Sequence, residues 1–244
     1  LAVDASFSGV VLLDEMGTQV GIAKTLNSVH QVILNEPFTV KAGQTRVMTL
    51  AGNGATSSNS RGGQIAYLSL VAVSASSDVT CNLPVVGAGH TVNESLAIGS
   101  VSTMARGSLD PGSSQSKEVG TAGYTFSGVK ATAGSTEDLY LKSIRWNQTG
   151  SAGSGDLSNL KTYVEGIGSY DVALSSDGKY YTSTFADNAG KGILIAKGFS
   201  KDIYIKGDVM GGSSRTVIFS IAKRTDLGVV GALYGYGINP PQTS

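Results

Sequence analysis

One stretch of the chain occurs twice, as VKAGQTRVMTLAG at residues 40–52 and as IAKGFSKDIYIKG at residues 195–207. The two stretches keep a constant separation of 155 residues. The chain therefore carries an internal repeat, which predicts two domains of the same kind. Further matches, in which small changes of separation reflect loop length, are Phe7–Val10 with Leu157–Leu160, Ser60–Arg61 with Ser214–Arg215, and Leu68–Leu70 with Phe219–Ile221.

The two copies differ in what precedes them. Roughly 50 residues of strand-like sequence lie before Leu157 in the second copy, whereas six residues lie before Phe7 in the first copy. A β-domain that begins partway through its own pattern leaves a sheet edge or a core face uncovered. We therefore expect this chain to act through assembly with a partner rather than through chemistry.

Composition and charge point to short strands joined by many turns. The 244 residues include 33 glycines, and only 15% are charged; this composition favours β-structure over helix. The formal net charge is zero, so no basic field attracts nucleic acid or an anionic membrane. Near-neutral charge also favours self-association. We expect no nucleic-acid partner.

The hydrophobic pattern predicts a dense series of strands. Turn signals such as Asp110-Pro111-Gly112 separate them, which is typical of antiparallel β-sandwiches. In the first copy we predict strands near residues 6–13, 17–23, 28–34, 44–51, 64–73 and 78–86. In the second copy we predict strands near residues 98–106, 122–130, 137–146, 158–164, 170–174, 179–185, 192–195, 200–207, 214–223 and 227–236.

These patterns give a fold class and a domain division. We predict an all-β protein of two tandem Ig-like antiparallel β-sandwich domains, the first lacking its leading strands. The first domain spans residues 1–90 and the second residues 91–244. The predicted strand at 64–73 is apolar on both faces, which suits a central strand or a subunit interface.

The second copy resembles a known family in the order of its motifs. These are Asp110–Gln115, Glu137–Ile144, Asp156–Tyr163, Ile193–Lys201 and Ile203–Asp208. They are similar to the tandem β-sandwich repeat of large surface-layer-like proteins of the candidate-phyla (ultrasmall) bacteria, and similar sandwiches occur in filament-forming subunits. The resemblance implies a cell-surface location and a structural or adhesive role, and it implies no catalytic residues.

We predict an extracellular structural subunit that polymerises head-to-tail into a filament or surface layer by β-strand complementation. Its partners would be identical subunits, with surface glycans as a second class. The donor segment would be Leu1–Val3 or the tail Leu233–Ser244. The tail would donate only up to about Ile238, because Pro240-Pro241 cannot lie in the middle of a sheet. Candidate interface residues are Leu1, Val3, Ile65, Tyr67, Val71, Val73, Leu233, Tyr234, Tyr236 and Ile238. The alternatives are a fragment of a longer surface adhesin or surface-layer protein, a carbohydrate-binding module, and a hydrolase.

Paired carboxylates beside turns are weak calcium candidates, because Ca²⁺ prefers oxygen ligands. These candidates are Asp14, Glu15, Glu137, Asp138, Asp177 and Asp187. His30 and His90 have no spacing typical of a zinc site, and no Gly-x-Ser-x-Gly elbow supports a hydrolase triad. We expect no catalytic residues and no cofactor other than calcium.

Two sequons, at Asn93 and Asn147, are candidate glycosylation sites, and we expect both at strand ends or loops and favour Asn147. The single cysteine, Cys81, rules out an intramolecular disulfide and is expected to be buried, with an intermolecular bridge or a reactive thiol as the alternative. Tyr180-Tyr181 and Tyr234-Gly235-Tyr236 could bind sugars, although cross-strand packing is the preferred interpretation. No apolar run is long enough to span a bilayer, and the first residue, Leu1, suggests a processed product or a fragment.

Overall fold

The computed structural model describes residues 4–15, 17–54 and 61–241. The chain divides into two compact units, Leu1–Ala97 (unit 1) and Ile98–Ser244 (unit 2), whereas the predicted boundary falls between residues 90 and 91. Strands dominate both units, and every ladder between described strands is antiparallel. The protein is all-β, as the composition and turn signals predict.

Unit 1 contains one three-stranded sheet and two short two-stranded ladders. A 3₁₀ turn at Asp4–Ser6 precedes the first strand. The sheet has the order β2-β1-β3, and β4 pairs with β7 and β5 with β6. The strands are β1 (Phe7–Leu13), β2 (Gln19–Lys24), β3 (Thr49–Gly54), β4 (Ile65–Ala66), β5 (Ser69–Leu70), β6 (Val85–Val86) and β7 (His90–Thr91).

Unit 2 contains two larger sheets. Its strands are β8 (Val101–Arg106), β9 (Tyr124–Ala133), β10 (Leu139–Thr149), β11 (Leu157–Val164), β12 (Gly168–Asp171), β13 (Ala173–Leu174), β14 (Tyr180–Thr184), β15 (Ile193–Ile195), β16 (Ser200–Val209), β17 (Ile218–Ser220), β18 (Leu227–Gly231) and β19 (Gly237–Ile238). One helical turn, α1 (Asp187–Gly190), and 3₁₀ turns at Ser154–Asp156 and Arg224–Asp226 complete the unit.

The two sheets of unit 2 enclose one hydrophobic core. One sheet has the order β12-β11-β16-β9-β8, and the other has the order β13-β14-β10-β18-β19, with β15 and β17 also paired to β10. Trp146 on β10 is buried, and its Nε1–H donates to Thr162 Oγ1 on β11 at 3.0 Å. This bond satisfies two polar groups inside the core and links the two sheets.

The sequence repeat is also a repeat of ladder register. Phe7 faces Gly54 in the β1–β3 ladder, and Leu157 faces Val209 in the β11–β16 ladder. The alignment of the two copies matches these residues pair for pair, and in each ladder a register irregularity follows within the first few residues. Unit 1 therefore rebuilds this part of unit 2 residue by residue.

The same correspondence holds on the other side of the central strand. Leu13 faces Gln19 in the β1–β2 ladder, and its counterpart Tyr163 faces Ser169 in the β11–β12 ladder. The 3₁₀ turn at Asp4–Ser6 likewise matches the turn before β11. The order β2-β1-β3 thus reproduces β12-β11-β16, but among the described residues of unit 1 nothing continues the sheet as β9 and β8 do.

Most strand predictions hold in unit 2, where those at 214–223 and 227–236 shorten to Ile218–Ser220 and Leu227–Gly231, and they partly fail in unit 1. Residues 28–34 form no ladder, so that predicted strand is wrong. The predicted strand at 64–73 pairs only at β4 and β5, and the one at 78–86 pairs only at β6. All three segments have strand-forming sequence, so we attribute the failure to missing partners rather than to low propensity.

A matched pair of substitutions tests this difference. Ile195 is 1% exposed, and its counterpart Val40 is 50% exposed. Ile195→Ala should cost about 2–5 kcal/mol, because it removes buried methyl groups and leaves a cavity. Val40→Ala should change stability by about 0.5 kcal/mol or less. Chemical denaturation followed by far-UV circular dichroism reports both units, and the fluorescence of Trp146, the single tryptophan, separates the unfolding of unit 2. Equal losses for both variants would contradict the assignment.

Candidate subunit interface

Unit 1 has a small core for its size. Its buried apolar residues, among those described, are Val10, Val11 and Ala66. In unit 2 the core extends through both sheets and includes Trp146 and Phe185. A β-domain that buries so little apolar surface gains little from the hydrophobic effect. Unit 1 is therefore the part of the molecule where an added partner would stabilise most.

The free edge of β3 is the clearest docking position. In unit 2 the corresponding strand, β16, pairs with β9 from Ser200 to Gly207. The matching residues of unit 1 are 45–52, and no described residue pairs with them on that side. An unpaired edge presents a row of N–H and C=O groups that can template another strand.

The core face beside this edge is only half covered. Met48 and Leu50 are half-buried, whereas their counterparts Ile203 and Ile205 on β16 are fully buried. The same alternation that fills the core of unit 2 leaves apolar surface partly in water in unit 1. A partner that covers this face would bury the apolar surface, which the hydrophobic effect favours.

Among the described residues, 13 large apolar side chains are exposed in unit 1 and 12 in the longer unit 2, so unit 1 exposes more of them for its length. Contiguous apolar surface on a soluble chain marks an interaction site, whereas scattered single residues need no explanation. The large exposed apolar residues described in unit 1 are Ile22, Val29, Ile33, Phe38, Val40, Val47, Ile65, Tyr67, Val71, Val73, Val79, Val85 and Val86.

The predicted interface strand at 64–73 forms one arm of a two-stranded ribbon. Besides the β4–β7 and β5–β6 ladders, the Gly87 N–H donates to the Leu68 carbonyl at 2.9 Å. Its apolar side chains Ile65, Tyr67, Val71 and Val73 are all exposed. An isolated two-stranded ribbon is marginally stable in water. These four predicted interface residues therefore lie on an accessible surface.

The predicted interface residues of unit 2 divide into two groups. Leu233, Tyr234 and Tyr236 are exposed on the turn between β18 and β19, and the two tyrosine rings stack with centroids 6.3 Å apart. The buried carboxylate of Glu137 holds this turn, since its oxygens accept the Gly99 N–H at 2.6 Å and the Leu233 N–H at 2.7 Å. The turn thus presents its apolar side chains from a fixed backbone.

The rest of the tail corrects the donor prediction. Ile238 lies in β19, pairs with Val229 and packs against the core of unit 2. The Arg224 Nε–H donates to the Pro240 carbonyl at 2.7 Å. Residues 237–240 are therefore engaged within their own unit, so the described part of the tail, residues 233–241, is not a free donor strand. The other predicted donor, with Leu1 and Val3, lies outside the described residues.

The six calcium candidates do not form a site. No group of three or more His, Cys, Asp or Glu side chains among the described residues could hold a metal ion. Their carboxylates instead accept hydrogen bonds from nearby donors. The pairs are Asp14 with Thr18 N–H, Glu15 with Arg46, Glu137 with two backbone N–H groups, Asp138 with Lys197 N–H, Asp177 with Lys179 N–H and Asp187 with Tyr170 O–H.

Three of these carboxylates take part in a pKa shift, and the pKa of Asp177 is lowered by the bonds it accepts from the Ser175 O–H and the Lys179 N–H. Arg46 donates to both Glu15 oxygens at 2.9 Å, and this bidentate bond lowers the pKa of Glu15 to about 2. Burial and the Asp187 carboxylate raise the pKa of Tyr170 to about 12. The Glu15–Arg46 pair ties the β1–β2 turn to the segment before β3, and the Asp187–Tyr170 pair joins β12 to α1.

The two sequons lie in different environments. Asn147 lies two residues before the end of β10, and it pairs with Tyr180 on one side and Ser220 on the other. Asn93 is exposed in a loop, and its Oδ1 accepts the Ser95 N–H at 2.9 Å. Asn93 is therefore the more accessible sequon.

Cys81 and the tyrosine pair also differ from expectation. Cys81 is exposed rather than buried. Tyr181 is buried against Phe219, and Tyr180 lies under the Arg145 guanidinium at 4.8 Å. These two tyrosines pack within unit 2, as the preferred interpretation predicts, and do not form a sugar-binding face.

Comparison of the chain with models of known protein families, with curated proteins and with solved structures found no match. No helix formed by the described residues has both the length and the apolar character to cross a membrane.

The Glu15–Arg46 pair gives a pH-dependent signal. Because the pKa of Glu15 is about 2 when folded and 4.5 ordinarily, its stabilising contribution is complete above pH 4.5 and is lost as the pH falls through about 2. NMR titration of the side-chain carboxyl should give a midpoint near 2. Arg46→Gln should return this midpoint towards 4.5. An unchanged midpoint in the variant would show that Arg46 is not the cause.

The exposure of Cys81 is tested by thiol reactivity. At dilute concentration the native chain should react with Ellman's reagent about as fast as the chain in denaturant, because no burial protects the thiol. A reaction slowed about a hundredfold or more, as buried thiols show through the rarity of unfolding, would restore the buried interpretation.

Proposed function

We propose that this chain is an extracellular structural subunit that polymerises into a filament or surface layer through β-strand complementation. Unit 1 supplies an acceptor edge, and a neighbouring subunit supplies the strand that continues its sheet. Ladder bonds give the direction of the contact, and alternating side chains entering the core give its register. The role is structural, and no catalytic residue takes part in it.

One observation carries the proposal. The β2-β1-β3 sheet repeats β12-β11-β16 in order and register, yet β3 is an edge strand where β16 is an internal strand. Natural proteins protect open edges with charge, proline or a covering segment. Val47, which is 67% exposed, lies two residues before β3 in the segment that matches the β9-paired part of β16.

The asymmetry of the chain supports an open polymer. Unit 2 has a complete core and unit 1 does not, so the acceptor surface occurs once per chain. A contact between two different surfaces of identical subunits generates a filament whenever the rotation does not close. Because the net charge is zero, electrostatic repulsion between subunits opposes such growth little.

A second function is supported by one feature. Tyr234 and Tyr236 are exposed and nearly parallel, with an interplanar angle of 26°. Stacked aromatic rings can pack on the apolar face of a sugar, so a carbohydrate-binding role is the alternative to polymerisation. The two tyrosine rings offer only a small surface to a sugar, so carbohydrate binding is a weaker candidate function than polymerisation.

Assembly of the purified chain tests the main proposal. Wild-type protein should form filaments or lattices visible by electron microscopy. Val47→Lys places a charge on the β3 edge and should raise the critical concentration about tenfold or more, because a lysine buried in the contact costs more than 1.4 kcal/mol. The matched control is Val119→Lys in unit 2, where Val119 is also exposed and assembly should be unchanged.

Two results would contradict the proposal. One is a wild-type chain that stays monomeric by sedimentation at all accessible concentrations, in which case binding of glycans at Tyr234 and Tyr236 becomes the function to test. The other is equal assembly of Val47→Lys, Val119→Lys and the wild type, which would remove the β3 edge from the contact.

A further inference from the structure

The central strand of unit 2 shows what unit 1 is built to receive. β10 pairs with β14 and β15 along one side and with β17 and β18 along the other. Its side chains Leu139, Leu141, Ile144 and Trp146 are fully buried. β10 therefore fills the middle of its sheet and much of the core.

Unit 1 contains the counterpart of β14. In unit 2 the turn before β14 is closed by Asp177, whose Oδ1 accepts the Lys179 N–H at 3.1 Å. In unit 1 Asn27 Oδ1 accepts the Val29 N–H at 3.0 Å at the matching position. Residues 30–34 therefore correspond to β14, although they form no ladder.

Unit 1 also contains the counterpart of β15. The turn after β15 is closed by the Phe199 N–H, which donates to the Ala196 carbonyl at 2.9 Å. The matching turn in unit 1 is closed by the Gln44 N–H, which donates to the Lys41 carbonyl at 3.0 Å. Residues 38–40 therefore correspond to β15.

The apolar side chains of these segments are at most half-buried. Ile193 on β15 is 1% exposed, and its counterpart Phe38 is 42% exposed. In the β14 counterpart the exposure alternates, because Ile33 is 77% exposed whereas Val32 and Leu34 on either side of it are half-buried. Within the described part of the chain, residues 32–40 make no backbone hydrogen bond. These segments offer both apolar contacts and unused ladder groups.

Unit 1 also contains the counterpart of β18, the strand that pairs with the other side of β10. Asp226-Leu227 begins β18, and the corresponding Asp78-Val79 follows β5 in the same order. In unit 2 Leu227 and Val229 pair with β10. By this alignment Val79 and Cys81 are their counterparts, and both are exposed.

We infer that residues 30–40 and 79–81 bound a slot that binds a strand from a second copy of this chain, in the position that β10 occupies in unit 2. The inserted strand runs antiparallel to residues 30–40, as β10 runs to β14 and β15. This inference rests on the proposed function and adds a second contact between subunits to the one at the β3 edge, because the β10 position lies in the other sheet.

The chemistry of the slot favours the chain itself as the occupant. Apart from Glu36 in the loop between the β14 and β15 counterparts, the bounding residues carry no Asp, Glu, Lys or Arg. The slot therefore selects an uncharged apolar face rather than an acidic or basic peptide. The chain has zero net charge, and its own β10 shows that it encodes a strand of the required alternation.

A synthetic peptide with the β10 sequence, LYLKSIRWNQT (residues 139–149), provides the probe. Added to the full chain, it should slow alkylation of Cys81 about tenfold at ten times its Kd, because only about one tenth of the slots stay free. It should also suppress filament growth in proportion to occupancy. The control peptide carries Leu141→Asp and Ile144→Asp and should do neither.

Two matched variants of the full chain test whether the peptide and the assembly both use the slot. Val40→Asp places a charge in the slot and should abolish both the protection of Cys81 and the assembly. Val119→Asp, at an exposed position in unit 2, should leave both unchanged. Circular dichroism should be the same for both variants and the wild type, because both side chains are exposed.

The outcomes separate this inference from the proposed function. Filaments that form normally while the peptide neither protects Cys81 nor competes would overturn the slot and leave polymerisation in place. A chain that stays monomeric at every concentration while the peptide binds would overturn both polymerisation and the second copy as occupant. Protection of Cys81 by the peptide together with loss of assembly supports both.

Discussion

The structure depends on one strand, β10, because four other strands form ladders to it. Leu139, Leu141, Ile144 and Trp146 place its inner face in the core, and Trp146 also bonds across to the opposite sheet. A central strand is buried on both edges, so it supplies ladder bonds and apolar contacts that its neighbours cannot obtain from water. Where β10 is present, the surrounding strands are ordered into a sandwich, and unit 1 shows how they differ when no described residue takes its place.

Because the chain contains the same pattern twice, equivalent strands of unit 1 and unit 2 can be compared directly. β1, β2 and β3 pair in the register of β11, β12 and β16 because these three strands satisfy one another. Residues 30–34 and 38–40 have turns like those beside β14 and β15, yet they form no ladder. The difference follows from the absent partner, since strand propensity expresses fit to a pleated, half-buried surface rather than a local backbone preference.

The carboxylates predicted as calcium ligands hold loops in place through hydrogen bonds, and they do not form a metal site among the described residues. Glu137 is buried and accepts two backbone N–H bonds that hold the β18–β19 turn, and Glu15 fixes the β1–β2 turn through Arg46. Bonds from backbone donors satisfy a carboxylate well enough for it to be buried. The polar side chains thus give a rigid frame, and the functional surface of the proposed polymer is the backbone edge and the apolar face beside it.

The sequence by itself determined that the protein is all-β and where most strands of unit 2 lie. It also determined an internal repeat, whose aligned residues occupy equivalent positions in the ladders of the two units. Alternation and turn residues are local signals, so they can be recognised along the chain. Tertiary structure alone decided that residues 28–34 stay unpaired, that Cys81 is exposed, and that Ile238 and Asn147 belong to ladders. Burial and pairing depend on residues far away in the chain, and a strand-forming segment contains no information on whether its partner is present.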